Sequence, residues 1–218
     1  MEIVGGHLLR EACNCLIEIT VLVFQRGDAL LDRFGVEVHE HGIIAKFGGD
    51  RVMSEAAAEF WRFSLAVYAQ PGVAPACLVL QDEFGRDVNL ALYCCWLGAS
   101  GRGRLSRPAL DAADRDIAPW RHQVVEHFRA ARRAIKDAGA AGSESLYTKA
   151  KAIELEAERL LQSRLAERAP AADPSLSTQG RLDTAIANLT LYLGDAPADP
   201  IHAALRALAA SNFVVVPA

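Results

Sequence analysis

The chain has 218 residues, 51% of them hydrophobic and 23% charged, with a formal net charge of -4. That length and apolar content suit one compact domain, and the near balance of charge excludes both a globally basic nucleic-acid binder and a disordered acidic tail. By segment the charge is -6 over 1–99, +4 over 100–139 and -2 over 140–218, so only the middle stretch is basic.

Residues 1–52 differ in texture from the rest. Leu16-Ile17-Glu18-Ile19-Thr20-Val21-Leu22-Val23-Phe24 is β-prone, and Gly35 to Val38 and Gly42 to Phe47 add two shorter strand-like pieces among glycines. The apolar run from Cys15 to Phe24 is a poor secretory signal, because Glu18 interrupts it and Glu2 and Glu11 stand where a signal carries positive charge. The two methionines are Met1 and Met53, and Ser54 is a good N-cap ahead of Ala-rich helical sequence. Two readings of residues 1–52 follow: a small β appendage, or a start-site artefact upstream of a native start at Met53.

From Ser54 the period is helical. Phe60, Phe63, Ser64, Val67 and Tyr68 share one face until Pro71-Gly72 stops the first helix. Pro75 suits the first turn of a second, carrying Cys77, Leu78, Leu80 and Phe84 and ended by Gly85. Asp87 caps a third, from Val88 to about Gly98, apolar nearly all round and therefore expected to be buried. After the loop Gly101-Arg-Gly-Arg-Leu-Ser-Arg107, a short helix is expected from Pro108 and a long one from Pro119. The long helix has an apolar row of Trp120, Val124, Phe128, Ala131 and Ile135, with Arg121, Arg129, Arg132, Arg133 and Lys136 outward. Gly139 and Gly142 break the chain, and Ser143 is expected to cap another long helix to about Glu167, with Leu146, Ala150, Ile153, Ala157, Leu160 and Leu161 on one stripe. These two would pair antiparallel. Residues 168–178, with Pro170 and Pro174, read as a linker before helices at Gln179 to Leu193 and Pro200 to Ala210. Phe213 to Pro217 is too short to define an element.

The fold class is thus all-α: a multi-helix bundle with a long helical hairpin, divided into a core over 53–140 and a C-terminal helical region over 141–218 that packs on it. The residues Phe60-Trp-Arg-Phe-Ser-Leu-Ala-Val-Tyr68, Pro71-Gly-Val73, Cys77-Leu78, Gln81-Asp82, Gly85, Asp87-Val-Asn-Leu90 and Trp96 resemble an uncharacterised proteobacterial family of helical proteins, a domain of unknown function. The resemblance covers about residues 53–137; Lys149 to Gln162 matches only in general Ala/Glu/Leu style. Members of that family usually begin near the equivalent of Met53. The resemblance implies a helical fold and carries no activity, substrate or cofactor with it.

Gln81, Asp82, Asp87 and Asn89 place four short polar side chains at the turn between two apolar helices. Such groups could hold a cation or polar ligand, or form a structural corner in which Asp87 caps and Gln81 and Asn89 bond free backbone groups. The spacing does not fit a calcium-binding helix-loop-helix loop. Trp61, Trp96 and Trp120 could line a pocket for a flat ligand, although aromatics at helical spacing more often bury surface in a core. His122-Gln-Val-Val-Glu126-His127 has the wrong spacing for a zinc-protease helix, since His127 lies about 140° round from His122. His39-Glu-His41 is weaker, and no metal ligand or cofactor is assigned.

Gly98-Ala-Ser-Gly-Arg-Gly103-Arg-Leu105 has the glycine frame of a phosphate-binding loop, but Arg104 and Leu105 replace the lysine and hydroxyl that nucleotide hydrolysis needs. Arg102, Arg104 and Arg107 are candidates to meet an acidic protein, RNA or phosphate. Five cysteines, Cys13, Cys15, Cys77, Cys94 and Cys95, show no disulfide or C-x-x-C pattern and fit a reducing compartment; with no apolar stretch of about 18 residues, the expectation is a cytoplasmic protein off the membrane. The functional expectation is a non-enzymatic helical interaction module, an adaptor or assembly factor, docking through the basic helix or the Leu146 to Leu161 stripe. The alternatives are an enzyme or small-ligand binder at the Asp82 and Asp87 corner, and RNA or phosphate binding at Arg102 to Arg107; protein is the expected partner and nucleic acid the less favoured one.

Overall fold

The computed structural model describes residues 36–39, 42–45 and 53–210. Strands β1 (Val36–His39) and β2 (Gly42–Ala45) pair antiparallel, with Val36 opposite Ala45 and His39 opposite Gly42, where the sequence shows its two shorter strand-like pieces. The strand expected over Leu16 to Phe24, Cys13, Cys15, the side chains of His39-Glu-His41 and the tail from Phe213 to Pro217 lie outside the described residues.

Over residues 53–210 the fold is an all-α bundle. Helix α1 (Glu55–Tyr68) starts where Ser54 accepts the Ala57 amide, 3.3 Å from its Oγ. Gly72, at φ 80°, turns the chain into α2 (Val73–Asp82), a conformation that a side chain would strain. Asp87 then opens α3 (Val88–Ala99), whose twelve residues are all buried. A helix without a polar face has no stable place except the centre of a bundle, and that is where α3 lies.

Three boundaries differ from expectation. Helix α2 ends at Asp82, so Phe84 and Gly85 lie beyond it and Phe84 is exposed. The helix starting near Pro108 does not end before Pro119: α4 (Arg107–Trp120) runs through it and continues by a π-helical turn (Arg121–Val125) into α5 (Glu126–Ala138). Pro119 lacks the N–H of a regular turn and its ring crowds the preceding one. The wider turn that follows, closed by the Glu126 amide on the Arg121 carbonyl, resets the register instead of stopping the helix. Ser143 does precede α6 (Glu144–Ala166), but its backbone is already helical at φ -76° and ψ -7°, so its hydroxyl makes no cap bond. The tight Gly139–Gly142 turn, where the Ser143 amide returns to the Ala140 carbonyl, takes over that role.

Helices α5 and α6 pack against each other as the expected hairpin, and α7 (Thr178–Leu193) and α8 (Asp199–Ala210) complete the described residues. Helix α3 crosses α7 in close backbone contact at Gly98 and Ala185. A Cβ on Gly98 would lie 2.1 Å from the Ala185 backbone nitrogen, so only glycine permits that crossing. One continuous core runs from Ala57 on α1 to Leu208 on α8, with Phe60 stacked on Trp96 at 4.9 Å between ring centroids. No single helix among the described residues is long and apolar enough to cross a membrane.

Candidate functional site

Asp87 sits where α3 begins, and each of its polar atoms has a partner. One carboxylate oxygen accepts the Asn89 and Leu90 amides at 2.7 and 3.2 Å; the other accepts from Arg121 at 3.2 Å. The Tyr192 hydroxyl accepts the Asp87 amide at 2.7 Å and lies 3.2 Å from its carbonyl oxygen, to which it donates. Arg121 also reaches Asp114 at 2.8 Å, and although burial opposes its charge, Asp114 and Asp87 hold its pKa above the ordinary guanidinium value. Burial pushes the Tyr192 phenol up, so it stays a neutral donor. Asn89, two residues on, is buried and accepts from Gln162, which in turn accepts from Ser64 at 3.0 Å. Gln81 and the exposed Asp82 bond to each other at 3.5 Å and do not join Asp87. The four residues therefore split. Asp87 and Asn89 tie α3 to α4, α6 and α7, whereas half-buried Gln81 and exposed Asp82 sit apart at the end of α2.

The tryptophans occupy three different surroundings. Trp96 is fully buried beneath Arg102, whose guanidinium lies 4.8 Å from its ring; Trp61 is half-buried at the edge of the core. Trp120 donates to the Ala157 carbonyl at 3.0 Å under the Arg164 guanidinium. The loop arginines also divide. Arg102 is committed inward to Glu59 and the Pro170 carbonyl, Arg107 pairs with Asp111 at 3.1 Å, and Arg104 is exposed. Asn188 holds the loop by accepting the Leu105 amide and donating to the Gly103 carbonyl.

His122 lies 3.0 Å from Glu126, and His127 lies 3.0 Å from the His122 carbonyl, so the two imidazoles serve separate local bonds. No group of three or more His, Cys, Asp or Glu side chains among the described residues is placed to share a metal ion. Burial pushes the Cys94 thiol up to about 12 and Cys95 well above its usual value, which leaves both as packing groups and poor nucleophiles.

The hairpin departs furthest from expectation. Arg132, expected on the outer surface, is fully buried and bonds Glu154; Arg129 reaches Glu154 at 3.4 Å and Glu158 at 2.8 Å. The seam between α5 and α6 is thus built from charged side chains. Burial pushes Glu158 up to about 6, Arg129 works against that shift, and Glu154 and Asp87 add to it. Of the apolar rows expected in the seam, Ala157 and Leu161 are buried and Trp120 and Val124 pack against the core, while four large members stay outside. Leu146 is 56% exposed, Ile153 48%, Leu160 42% and Phe128 36%.

Helical geometry places these rows together. Each residue turns the helix by about 100°, so with Arg132 aimed at α6, Phe128, Ala131 and Ile135 all fall to one side of it. With Glu154 aimed back at α5, Leu146, Ala150, Ile153 and Leu160 fall to the corresponding side of α6. Because the helices run antiparallel, both offsets lie on the same flank of the hairpin. Trp120 and Arg164, packed on each other, close one end of this apolar flank.

Sequence reasoning missed Glu154, Glu158, Gln162, Asn188 and Tyr192. The signal for the first two was present: Arg129, Arg132 and Lys136 recur at helical spacing on one helix, and Lys151, Glu154 and Glu158 at the same spacing on the other.

Residues 59–165, just under half of the chain, match the family model of a protein of unknown function (DUF2390). That match takes in the Asp87 corner and both helices of the hairpin, extending through α6 beyond the resemblance read from the sequence. No curated protein and no solved structure matches the chain.

Proposed function

We propose that this chain is a non-enzymatic helical protein-interaction module, an adaptor or assembly factor that receives a partner helix on the apolar flank of the α5–α6 hairpin. The observation that carries this reading is the inversion of the hairpin. Its charged side chains are spent inside the seam, while Leu146, Ile153, Leu160 and Phe128 are left at the surface. Burying Arg132 and Glu154 costs desolvation energy that an apolar seam would avoid. An apolar row held outward is the arrangement that an amphipathic partner helix needs.

The enzyme reading finds less support, since Asp87 and Asn89 are consumed by bonds to backbone and neighbouring side chains and Asp82 stands apart. The nucleic-acid reading keeps two exposed loop arginines, Arg104 and Arg107, the latter paired with Asp111 at the surface, while Arg102 is turned inward. The test is in-cell photocross-linking with a photoreactive phenylalanine analogue placed at Ala131 or Leu160, and at Gln179 on α7 as control. A discrete adduct from the first two positions and none from the third is expected. Equal labelling at all three, or no adduct from the hairpin positions, would overturn the reading.

A further inference from the structure

We infer that the partner helix is supplied by a second copy of this chain, which pairs α6 with α6 antiparallel about a two-fold axis near Ile153; this inference rests on the docking role just proposed for the hairpin flank. The exposed residues have the required symmetry. Leu146, Ile153 and Leu160 recur at seven-residue spacing, so they stay in one row along the helix with a drift of only about 20° per repeat. Under a two-fold axis at Ile153, the Ile153 side chains of the two copies meet and Leu146 meets Leu160 of the second copy. A closed two-fold interface demands such self-complementarity, residue against residue in both directions.

The charges beside the row agree with the same register. Lys149 precedes Ile153 and Glu156 follows it, both on the outer edge of the flank and on opposite sides of the axis. Antiparallel pairing sets Lys149 beside Glu156 of the second copy, twice over, whereas parallel pairing would set like against like. Glu156 already accepts from Arg159 of its own helix at 2.6 Å, and a carboxylate has acceptor sites left for a lysine. Exposed pairs of this kind add little affinity and fix orientation.

The area is sufficient for a reversible dimer. Helices of 13 and 23 residues span about 20 and 35 Å, and two side by side are about 20 Å wide. The flank therefore offers about 400–700 Å² per copy, just below the roughly 800 Å² of a standard stable interface. Phe128 and Ala131 of each α5 flank the paired α6 helices, and together the two hairpins make a four-helix arrangement with an apolar centre.

The experiment is light scattering on the full chain over a wide concentration range. The mass is expected to rise from 23.5 kDa towards twice that value. Ile153→Glu, which sets two carboxylates together on the axis, should weaken dimerisation by about 100-fold with helicity unchanged; Leu160→Glu serves if that variant does not fold. Lys149→Glu alone and Glu156→Lys alone should each weaken it by about tenfold, and the double exchange should restore it. A mass that stays at one chain throughout overturns the inference, as does an Ile153→Glu dimer as strong as the original or a double exchange as weak as the single ones. A cross-linked adduct of two identical chains supports it. An adduct with a different protein overturns the self-pairing and leaves the interaction module standing; no adduct removes both.

Discussion

Asp87 shows how much one side chain can be asked to do. Its first oxygen satisfies amides that every helix start leaves open, and its second holds Arg121, which ties α3 to the end of α4. The two tasks separate by substitution. Asp87→Asn keeps the cap and loses the ion pair, leaving Arg121 to Asp114, and should cost about 1 kcal/mol; Asp87→Ala loses the cap as well, at about 2 kcal/mol. Urea unfolding of the two variants checks this, and equal costs would mean that the cap contributes nothing. Glu158 makes a different kind of statement. Its folded pKa, about 6, lies above the ordinary 4.5, so the folded chain binds the proton more tightly than the unfolded chain. Stability from this group is therefore greatest below pH 4.5 and is lost as pH rises through about 6, by about 2 kcal/mol. Glu158→Gln cannot ionise, so its stability relative to the parent should rise across that window, measured as the difference between the two urea curves at pH 5 and pH 7.5.

At the scale of elements, the hairpin seam is held by pairs that are costly to break singly. Arg132→Met leaves Glu154 buried without its main partner and should destabilise by about 3–5 kcal/mol; adding Glu154→Leu should recover most of that loss. A double variant no better than the single one would mean that the seam needs its charges for folding itself. This seam also explains where the sequence was legible and where it was not. Ser54, Gly72 and Asp87 act through neighbours a few positions away, so the starts of the first three helices could be placed from the sequence, whereas α2 ends at Asp82, before the Phe84 and Gly85 expected to close it. The all-round apolar character of α3 identified it as central. The α5 and α6 rows were read as packed faces because apolar stripes usually are, and here the two helices also present matching charged stripes. Which stripe faces inward depends on the mutual register of the helices, and a single sequence does not display it. Tyr192 and Gln162 bond Asp87 and Asn89 from a great distance along the chain, and no local pattern marks such partners.

At the scale of the whole molecule, two kinds of cohesion meet in one bundle, and they predict unequal stability across it. The α3–α7 pair is packed by apolar side chains and a glycine crossing that admits no Cβ, with Leu90, Trp96, Ala185 and Leu189 fully enclosed. Gly98→Ala should therefore be strongly destabilising, lowering the thermal midpoint by roughly 10 °C or more, because the backbone of α7 must move away. The hairpin, by contrast, closes its seam with charges and leaves Leu146, Ile153, Leu160 and Phe128 to solvent in the single chain. Hydrogen exchange should report this division directly. Amides in α3 and α7 should exchange only through global unfolding, whereas those in the seam of α5 and α6 should open at a lower free energy. Because Glu158 ionises unfavourably within that seam, the gap between the two classes should widen as pH rises from 5 to 7, once intrinsic exchange rates are corrected. Pairing of two hairpins would cover the same helices and narrow the gap as protein concentration increases. A uniform opening energy across all helices at low concentration would instead mean that the charged seam is as cohesive as the apolar core.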